Sequence, residues 1–240
     1  LELTRGQRGN MTAMGGQRAG TQHGVLLLAL ACFALLCVAQ GASDLGYTTK
    51  VSDGLMVNYS QRFRSPQTRA RLENWKRFAA ERKGKGQREL ELLMSVNQFL
   101  NRVPFVEDQK HWNAEDYWAT PAETIASNGA DCEDFSLAKY FLLKELGVPV
   151  SRLRLVYVKA VKLNQAHMVV AYYSSPTAEP LVLDNLEDSV RPASQRDDLV
   201  PVYSFNDEEV WVESRGRIGS PRQIRNWSAL LERLEAEARL

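Results

Sequence analysis

Three side chains of this sequence have the types needed for nucleophilic catalysis: Cys132, His167 and Asp184. A thiolate is a strong nucleophile, an imidazole can remove the thiol proton, and a carboxylate can hold the imidazole in the required tautomer. Cys132 precedes a long apolar run, so we expect it to open a helix with Asp131 as its N-cap. The positive end of that helix would stabilise a thiolate. These residues therefore favour cysteine-based acyl chemistry.

Each of the three residues also has a structural interpretation. A buried cysteine is often inert, and a histidine in a strand or an aspartate at its end is more often structural than catalytic. Asn185 is an alternative partner for the imidazole of His167. The catalytic interpretation is favoured because all three residue types fall at a helix start or at a strand edge.

The hydrophobic pattern predicts the elements that must position these residues. Apolar residues at helical spacing predict helices over 67–83, 87–101, 132–147 and 220–237. Alternating residues predict strands over 152–161, 167–173, 180–184, 202–205 and 209–211. We expect residues 43–65 and 105–130 to be irregular. The order of elements predicts an α+β fold in which N-terminal helices and a central helix bearing Cys132 pack on an antiparallel sheet.

The predicted strands explain how the histidine and the aspartate could meet. His167 opens one strand and Asp184 closes the next. If these strands are antiparallel neighbours, both side chains lie at one edge of the sheet. The N-terminus of the helix carrying Cys132 would then have to pack against that edge.

Composition excludes some functions. The chain has 240 residues, with 30 basic and 29 acidic side chains and a formal net charge of +1. A general binder of nucleic acid or of anionic membranes would carry a basic excess. We therefore expect no nucleic-acid partner.

The N-terminal region has the pattern of an export signal. Residues 24–39 carry no charge, arginines precede them, and small residues follow. This pattern predicts a secretory signal peptide over residues 1–41 and a single domain over 42–240, with no stable membrane insertion after cleavage. An uncleaved N-terminal anchor is the alternative. Met11 and Met14 are candidate start residues, so it is open whether the stretch before Met11 belongs to the natural product.

Predicted cleavage changes the meaning of the cysteine count. Cys32 and Cys37 lie within the signal segment, so Cys132 would be the single cysteine of the exported protein. A lone thiol in an oxidising compartment should be buried, paired between molecules, or useful.

Three carboxylates surround this thiol: Asp131, Glu133 and Asp134. They can be explained as an N-cap and as first-turn acids favoured by the helix dipole. Their charge should nevertheless raise the pKa of the Cys132 thiol. A bound Ca²⁺ would offset that repulsion, and carboxylate oxygens are the ligands that Ca²⁺ prefers. We therefore predict a calcium site at this helix start.

These residues lie in segments that resemble the bacterial transglutaminase-like cysteine proteinases. The most specific block is DCEDFSLAKY at 131–140, followed by Leu-Gly at 146–147. The other matching segments are YWATPAE at 117–123, HMVV at 167–170 and LDN at 183–185, and the resemblance covers roughly residues 65–215.

The resemblance implies a papain-like or transglutaminase-like fold and roles for individual residues. Cys132 would be the nucleophile, His167 the base and Asp184 the residue that orients the imidazole. The acidic pair of the family maps onto Asp131 and Glu133, with Asp134 as a further candidate ligand of calcium.

The resemblance also implies a biological role, namely that of a periplasmic, calcium-dependent endopeptidase. Its substrate would be the N-terminal region of a large cell-surface adhesin, cleaved close to an Ala-Ala sequence. Release of the adhesin would disperse the biofilm, and an inner-membrane receptor for cyclic di-GMP would sequester the enzyme. Two alternatives stay open: a transglutaminase-type acyl transferase, and a catalytically silent binding module of the same fold.

Overall fold

The positions of the candidate residues depend on one helix and one antiparallel sheet. The computed structural model describes residues 50–86, 88–212 and 215–240. The predicted signal peptide over residues 1–41 lies outside the described residues and stays a prediction.

The described residues form helices and strands in a fixed order along the chain. The helices are α1 (Asp53–Phe63), α2 (Thr68–Arg82), α3 (Glu89–Leu100), α4 (Asp108–His111), α5 (Pro121–Ser127), α6 (Cys132–Glu145) and α7 (Arg225–Glu237). The strands are β1 (Leu153–Ala160), β2 (Gln165–Tyr172), β3 (Leu181–Leu183), β4 (Arg191–Pro192), β5 (Leu199–Phe205), β6 (Val210–Val212) and β7 (Gly216–Gly219).

Helix α6 begins at Cys132, as predicted. The carboxylate of Asp131 accepts a hydrogen bond from the backbone N–H of Asp134, which makes Asp131 the N-cap. Every residue from 134 to 143 is buried, so the helix is surrounded by other elements. Gly147, with φ of 96°, follows the helix end in a backbone conformation that glycine adopts without strain.

The sheet has the strand order β4-β3-β2-β1-β5-β6-β7, and all its neighbours are antiparallel. His167 of β2 lies opposite Val158 of β1. Helix α6 packs on β2, where the hydroxyl of Ser136 donates a hydrogen bond of 2.8 Å to the buried carbonyl of Met168. This contact places the first turn of α6 beside the start of β2.

The two faces of the sheet are packed differently. Leu153 and Leu155 of β1 join the main core with the helices, whereas Val156 and Val158 belong to a smaller cluster that also contains Val169. Since successive side chains of a strand point to opposite faces, the smaller cluster lies on the face away from α6.

Helix α7 closes the main core. Trp227 is fully buried, stacks on Phe141 of α6 with ring centroids 5.6 Å apart, and meets the edge of Phe205 of β5 at 5.3 Å. The last helix therefore holds the central helix and the sheet together.

The predicted α+β arrangement, with the central helix on an antiparallel sheet, is confirmed. The prediction of irregular structure over residues 43–65 was wrong for α1, which Ser52 caps by accepting the N–H of Leu55 at 2.9 Å. Gly54 suits the first turn of α1 because a Cβ there would lie 1.9 Å from the carbonyl oxygen of Leu240. Among the described residues, no helix combines the length and apolar character that a membrane span requires.

The prediction of irregular structure over residues 105–130 was wrong for α4 and α5. Helix α5 starts with a capping box, in which Thr120 and Glu123 each bond to the other's backbone N–H. Pro121 at the first helical position further favours a helix start. These signals are visible in the sequence.

Candidate active site

The histidine and the aspartate predicted from the sequence are in direct contact. Nε2 of His167 lies 2.8 Å from Oδ1 of Asp184, and both side chains are buried. Strands β2 and β3 bring them together, since they pair antiparallel with Val170 opposite Leu183. The expectation that two neighbouring strands place these residues side by side is confirmed by the sheet register.

Asp184 is fixed by four groups. Its Oδ1 also accepts the N–H of Leu186 at 3.0 Å, and its Oδ2 accepts Nη2 of Arg196 at 2.6 Å. The side-chain amide of Asn101 donates to its backbone carbonyl at 3.0 Å. Burial raises the pKa of Asp184, but the hydrogen bonds from His167, Leu186 and Arg196 outweigh burial and hold that pKa well below its usual range. The carboxylate is therefore ionised and immobile.

The thiol of Cys132 contacts the strand residue that follows His167. Its Sγ receives a hydrogen bond from the backbone N–H of Met168, the residue that follows His167. Because Nε2 of His167 bonds to Asp184, Nδ1 is the ring nitrogen left to exchange a proton with the thiol. The alternative partner, Asn185, has a buried amide oxygen without a hydrogen-bond partner. The geometry thus pairs the histidine with Asp184.

Glu133 contacts the thiol directly. The Sγ of Cys132 donates to Oε2 of Glu133 at 2.8 Å, and the hydroxyl of Tyr157 donates to Oε1 at 3.0 Å. Burial raises the pKa of the Cys132 thiol, and the charges of Glu133 and Asp131 raise it further. Without a cation, these surroundings keep the thiol protonated.

A cluster of three aspartates lies at the start of α6. Oxygen atoms of Asp108, Asp131 and Asp134 all lie within 4.8 Å of one another. Burial, followed by the charges of Glu133 and Asp108, raises the pKa of Asp131 to about 8. Burial also raises the pKa of the other two carboxyls. Three carboxyls this close favour either protons or a cation between them.

The protein does not satisfy all the carboxylate oxygens of this cluster by hydrogen bonds, and a cation would satisfy them. Oδ1 of Asp108 and Oδ2 of Asp134 are buried without a hydrogen-bond partner. Their other oxygens accept backbone N–H groups, from Tyr117 and Ala119 respectively. Each carboxylate is thus held in place and has one free oxygen, and hard oxygen donors of this kind suit Ca²⁺.

Two main-chain hydrogen bonds join the segments that carry the cluster. Phe105 and Ala130 form an isolated parallel bridge. The N–H of Val106 donates to the carbonyl of Ala130 at 2.9 Å, and the N–H of Ala130 donates to the carbonyl of Pro104 at 3.2 Å. The loop before Asp108 is thereby attached to the residue that precedes Asp131.

Two of the three predicted metal ligands join this cluster. Asp131 and Asp134 converge with Asp108, whereas Glu133 contacts Cys132 and Tyr157. No local spacing could have suggested Asp108, because it comes from a separate helix, α4. Arg196 reaches Asp184 from a turn beyond β4, and its role likewise has no signal in the sequence.

The comparison with protein families now decides the classification. A model of the bacterial transglutaminase-like cysteine proteinases (BTLCP) matches residues 67–217, more than half of the chain. The chain belongs to this family. A sequence comparison with curated proteins finds no relative.

Solved structures of a similar protein, Legionella pneumophila LapG, share the fold. Legionella pneumophila LapG is 37% identical, with a TM-score of 0.67 over 78% of this chain and 98% of that chain. Its calcium-bound form is 38% identical, with a TM-score of 0.65 over 77% and 99%. Its EGTA-treated form is 38% identical, with a TM-score of 0.66 over 77% and 98%. The resemblance expected from the sequence is confirmed.

Proposed function

We propose that this cysteine proteinase is a calcium-dependent endopeptidase in which Cys132 is the nucleophile, His167 the general base and Asp184 the residue that orients the imidazole. The observation that carries the proposal is the buried bond between His167 and Asp184, with Cys132 held at the residue after the histidine. A thiol, an imidazole and an ionised carboxylate in this order can cleave a peptide bond.

The first half of the reaction forms a thioester. Nδ1 of His167 takes the proton of the Cys132 thiol, and the sulfur attacks the carbonyl carbon of the scissile bond. The backbone N–H of Cys132, at the start of α6, is placed to stabilise the oxyanion. The imidazolium then gives its proton to the leaving amine, and the C–N bond breaks.

The second half of the reaction releases the acyl group. His167 removes a proton from water, which attacks the thioester carbonyl, and the sulfur leaves and regains the proton. Throughout, the bond to Asp184 keeps Nε2 protonated and stabilises the imidazolium. Arg196, Leu186 and Asn101 keep Asp184 in position for this role.

We propose that calcium is held by Asp108, Asp131 and Asp134. Two buried carboxylate oxygens without partners support this ligand set. When bound, calcium supplies positive charge that offsets the carboxylates beside the thiol. The calcium-bound and EGTA-treated forms of Legionella LapG show that a relative of this chain binds the ion.

The substrate, compartment and regulator are also proposed. The uncharged segment over residues 24–39 supports export to the periplasm. The family resemblance supports a large cell-surface adhesin as the substrate, with release of the adhesin and dispersal of the biofilm as the result. It likewise supports an inner-membrane cyclic-di-GMP receptor as the inhibitory partner.

The decisive experiment compares the surface proteins of cells that carry the wild-type protein with those of cells that carry the Cys132→Ala variant. Mass spectrometry should find an adhesin fragment with a new N-terminus only in the presence of the wild-type thiol. Circular dichroism of the purified variant should show an unchanged fold. Cleavage that persists in the variant would refute the catalytic assignment.

A second measurement separates hydrolysis from acyl transfer. The purified protein is incubated with the adhesin fragment and a labelled amine, and with a glutamine peptide and the same amine. We expect cleavage without incorporation of the amine. Incorporation into the glutamine peptide would instead identify a transglutaminase.

A further inference from the structure

A cavity of about 440 Å³ lies on the face of the sheet away from α6. Its walls include Val156, Val169 and Val182 of the smaller apolar cluster, and it is separate from the site that contains Cys132. Cavities of this size hold small organic ligands in many proteins.

Two arginines line this apolar cavity: Arg154 and Arg196. Among the described residues of its lining there is no aspartate or glutamate. The cavity therefore combines an apolar wall with positive charge, a combination that matches an anionic group attached to an apolar body.

Arg196 has hydrogen-bonding capacity that the protein does not use. Its side chain is only 6% exposed. Nε and Nη2 bond to the carboxylates of Asp198 and Asp184, while the buried Nη1 has no partner. A buried donor without a partner is unfavourable, so a ligand that supplies an acceptor to Nη1 would gain affinity.

Two aromatic rings hold the side chain of Arg154 in place. Its guanidinium lies 4.6 Å from the ring centroid of Tyr173 and 4.0 Å from that of Trp211. Within the described part of the chain no carboxylate pairs with it. A guanidinium held between two aromatic rings retains its outward N–H groups for a planar anion such as a carboxylate.

We propose that this cavity binds a small carboxylate with an apolar body. The guanidinium of Arg154 supplies the positive charge, Nη1 of Arg196 supplies a further hydrogen-bond donor, and the valines supply the apolar contact. Such a ligand can be an aliphatic carboxylic acid or the free C-terminus of a short apolar peptide. Both present the same chemistry, and the probes below distinguish them.

The test is calorimetric titration of the full chain with octanoate and with the peptide acetyl-Leu-Leu, each at millimolar concentration. Octanamide and the peptide C-terminal amide are the matched neutral controls. We expect saturable binding of at least one carboxylate, with its amide at least about tenfold weaker. The probe that binds identifies the source of the ligand.

Variants then assign binding to the cavity. Arg154→Gln removes one guanidinium and Ala171→Leu fills part of the space, since both residues line the cavity. Each should weaken binding by about tenfold or more. Arg69→Gln, an exposed arginine of α2 that pairs with Glu73, should have no effect. Thermal melting confirms that each variant is folded.

The proposal would be overturned if neither carboxylate binds, if the amides bind equally well, or if binding survives both cavity variants unchanged. None of these outcomes depends on peptidase activity. Failure of this proposal and failure of the proposed function can therefore be told apart.

Discussion

At the scale of single residues, the environment of Cys132 has two acidic parts with different tasks. The carboxylate of Glu133 accepts hydrogen bonds from the thiol of Cys132 and from the hydroxyl of Tyr157. Asp108, Asp131 and Asp134 instead turn oxygens toward one another. Glu133 thus contacts the thiol of Cys132, whereas the three aspartates hold the proposed cation.

The first prediction uses this distinction. Asp108→Asn keeps the shape of the side chain but removes one of the three converging charges, so calcium affinity should fall by about tenfold or more. Glu133→Gln is the matched control and should change calcium affinity less, because Glu133 lies outside the converging cluster. Calorimetric titration measures both. If Glu133→Gln lowers calcium affinity more than Asp108→Asn does, Glu133 and not Asp108 is a calcium ligand.

At the scale of elements, the proposed catalysis depends on how α6 packs on β2. The hydroxyl of Ser136 donates to the carbonyl of Met168, and the N–H of Met168 donates to Sγ of Cys132. Both backbone groups of Met168 in β2 are therefore bonded to side chains of α6. This attachment fixes the distance between the helix start and His167.

The second prediction concerns that attachment. Ser136→Ala leaves the buried carbonyl of Met168 without its side-chain partner and should reduce the free energy of unfolding by about 1–2 kcal/mol. It should also lower kcat more than it changes KM, since the thiol and the imidazole lose their fixed relation. Ser60→Ala in α1 removes a bond within one helix, to the carbonyl of Met56, and is the control. Equal kinetics for the two variants would contradict the prediction.

The elements that bear the candidate catalytic side chains were largely predictable from the sequence. The apolar run after Cys132 and the alternation around His167 are properties of short segments, and α6 and β2 formed within a few residues of the predicted bounds. Asp108 and Arg196 were not predictable, because their roles arise from contacts between segments far apart in the chain. Neither residue lies in a sequence pattern that indicates its partner, and each meets that partner only in the folded protein.

At the scale of the whole molecule, the C-terminal helix is tied to the N-terminal helix. The carboxylate of Glu237 in α7 accepts hydrogen bonds from the hydroxyls of Tyr59 in α1 and Thr120, the N-cap of α5. Burial, followed by the charge of Glu123, raises the pKa of Glu237 from 4.5 to about 7. The link between these three helices is therefore sensitive to pH.

The third prediction follows from the sign of that shift. A carboxyl whose pKa is higher in the folded state binds its proton more tightly there, so its contribution to stability is fully present below pH 4.5 and is lost as the pH rises to about 7. The loss amounts to about 3 kcal/mol. In Glu237→Gln this part of the pH dependence should disappear, as measured by urea unfolding at several pH values.

The control for that variant lies on the same helix. Glu232 is exposed, so Glu232→Gln should retain the pH dependence of the wild-type protein. If the two variants give the same pH profile, Glu237 is not the group responsible.

The fourth prediction concerns calcium and stability. A ligand that binds only the folded state stabilises it by about 2.7 kcal/mol at a concentration of one hundred times its Kd. For a chain of this size, that should raise Tm by about 5–10 °C. Thermal melting in calcium, in magnesium and in EGTA tests this, and we expect the rise with calcium alone. The same Tm in calcium and in EGTA would contradict the proposed site.

The bridge between Phe105 and Ala130 has a consequence for the speed of the proposed activation by calcium. Its main-chain bonds already hold the two acidic segments together, so an arriving cation displaces water without waiting for a loop to close. We therefore expect the association step to be fast and to be limited by the loss of water from the ion. The residence time of the bound ion would then determine how long the enzyme stays active after its surroundings are depleted of calcium.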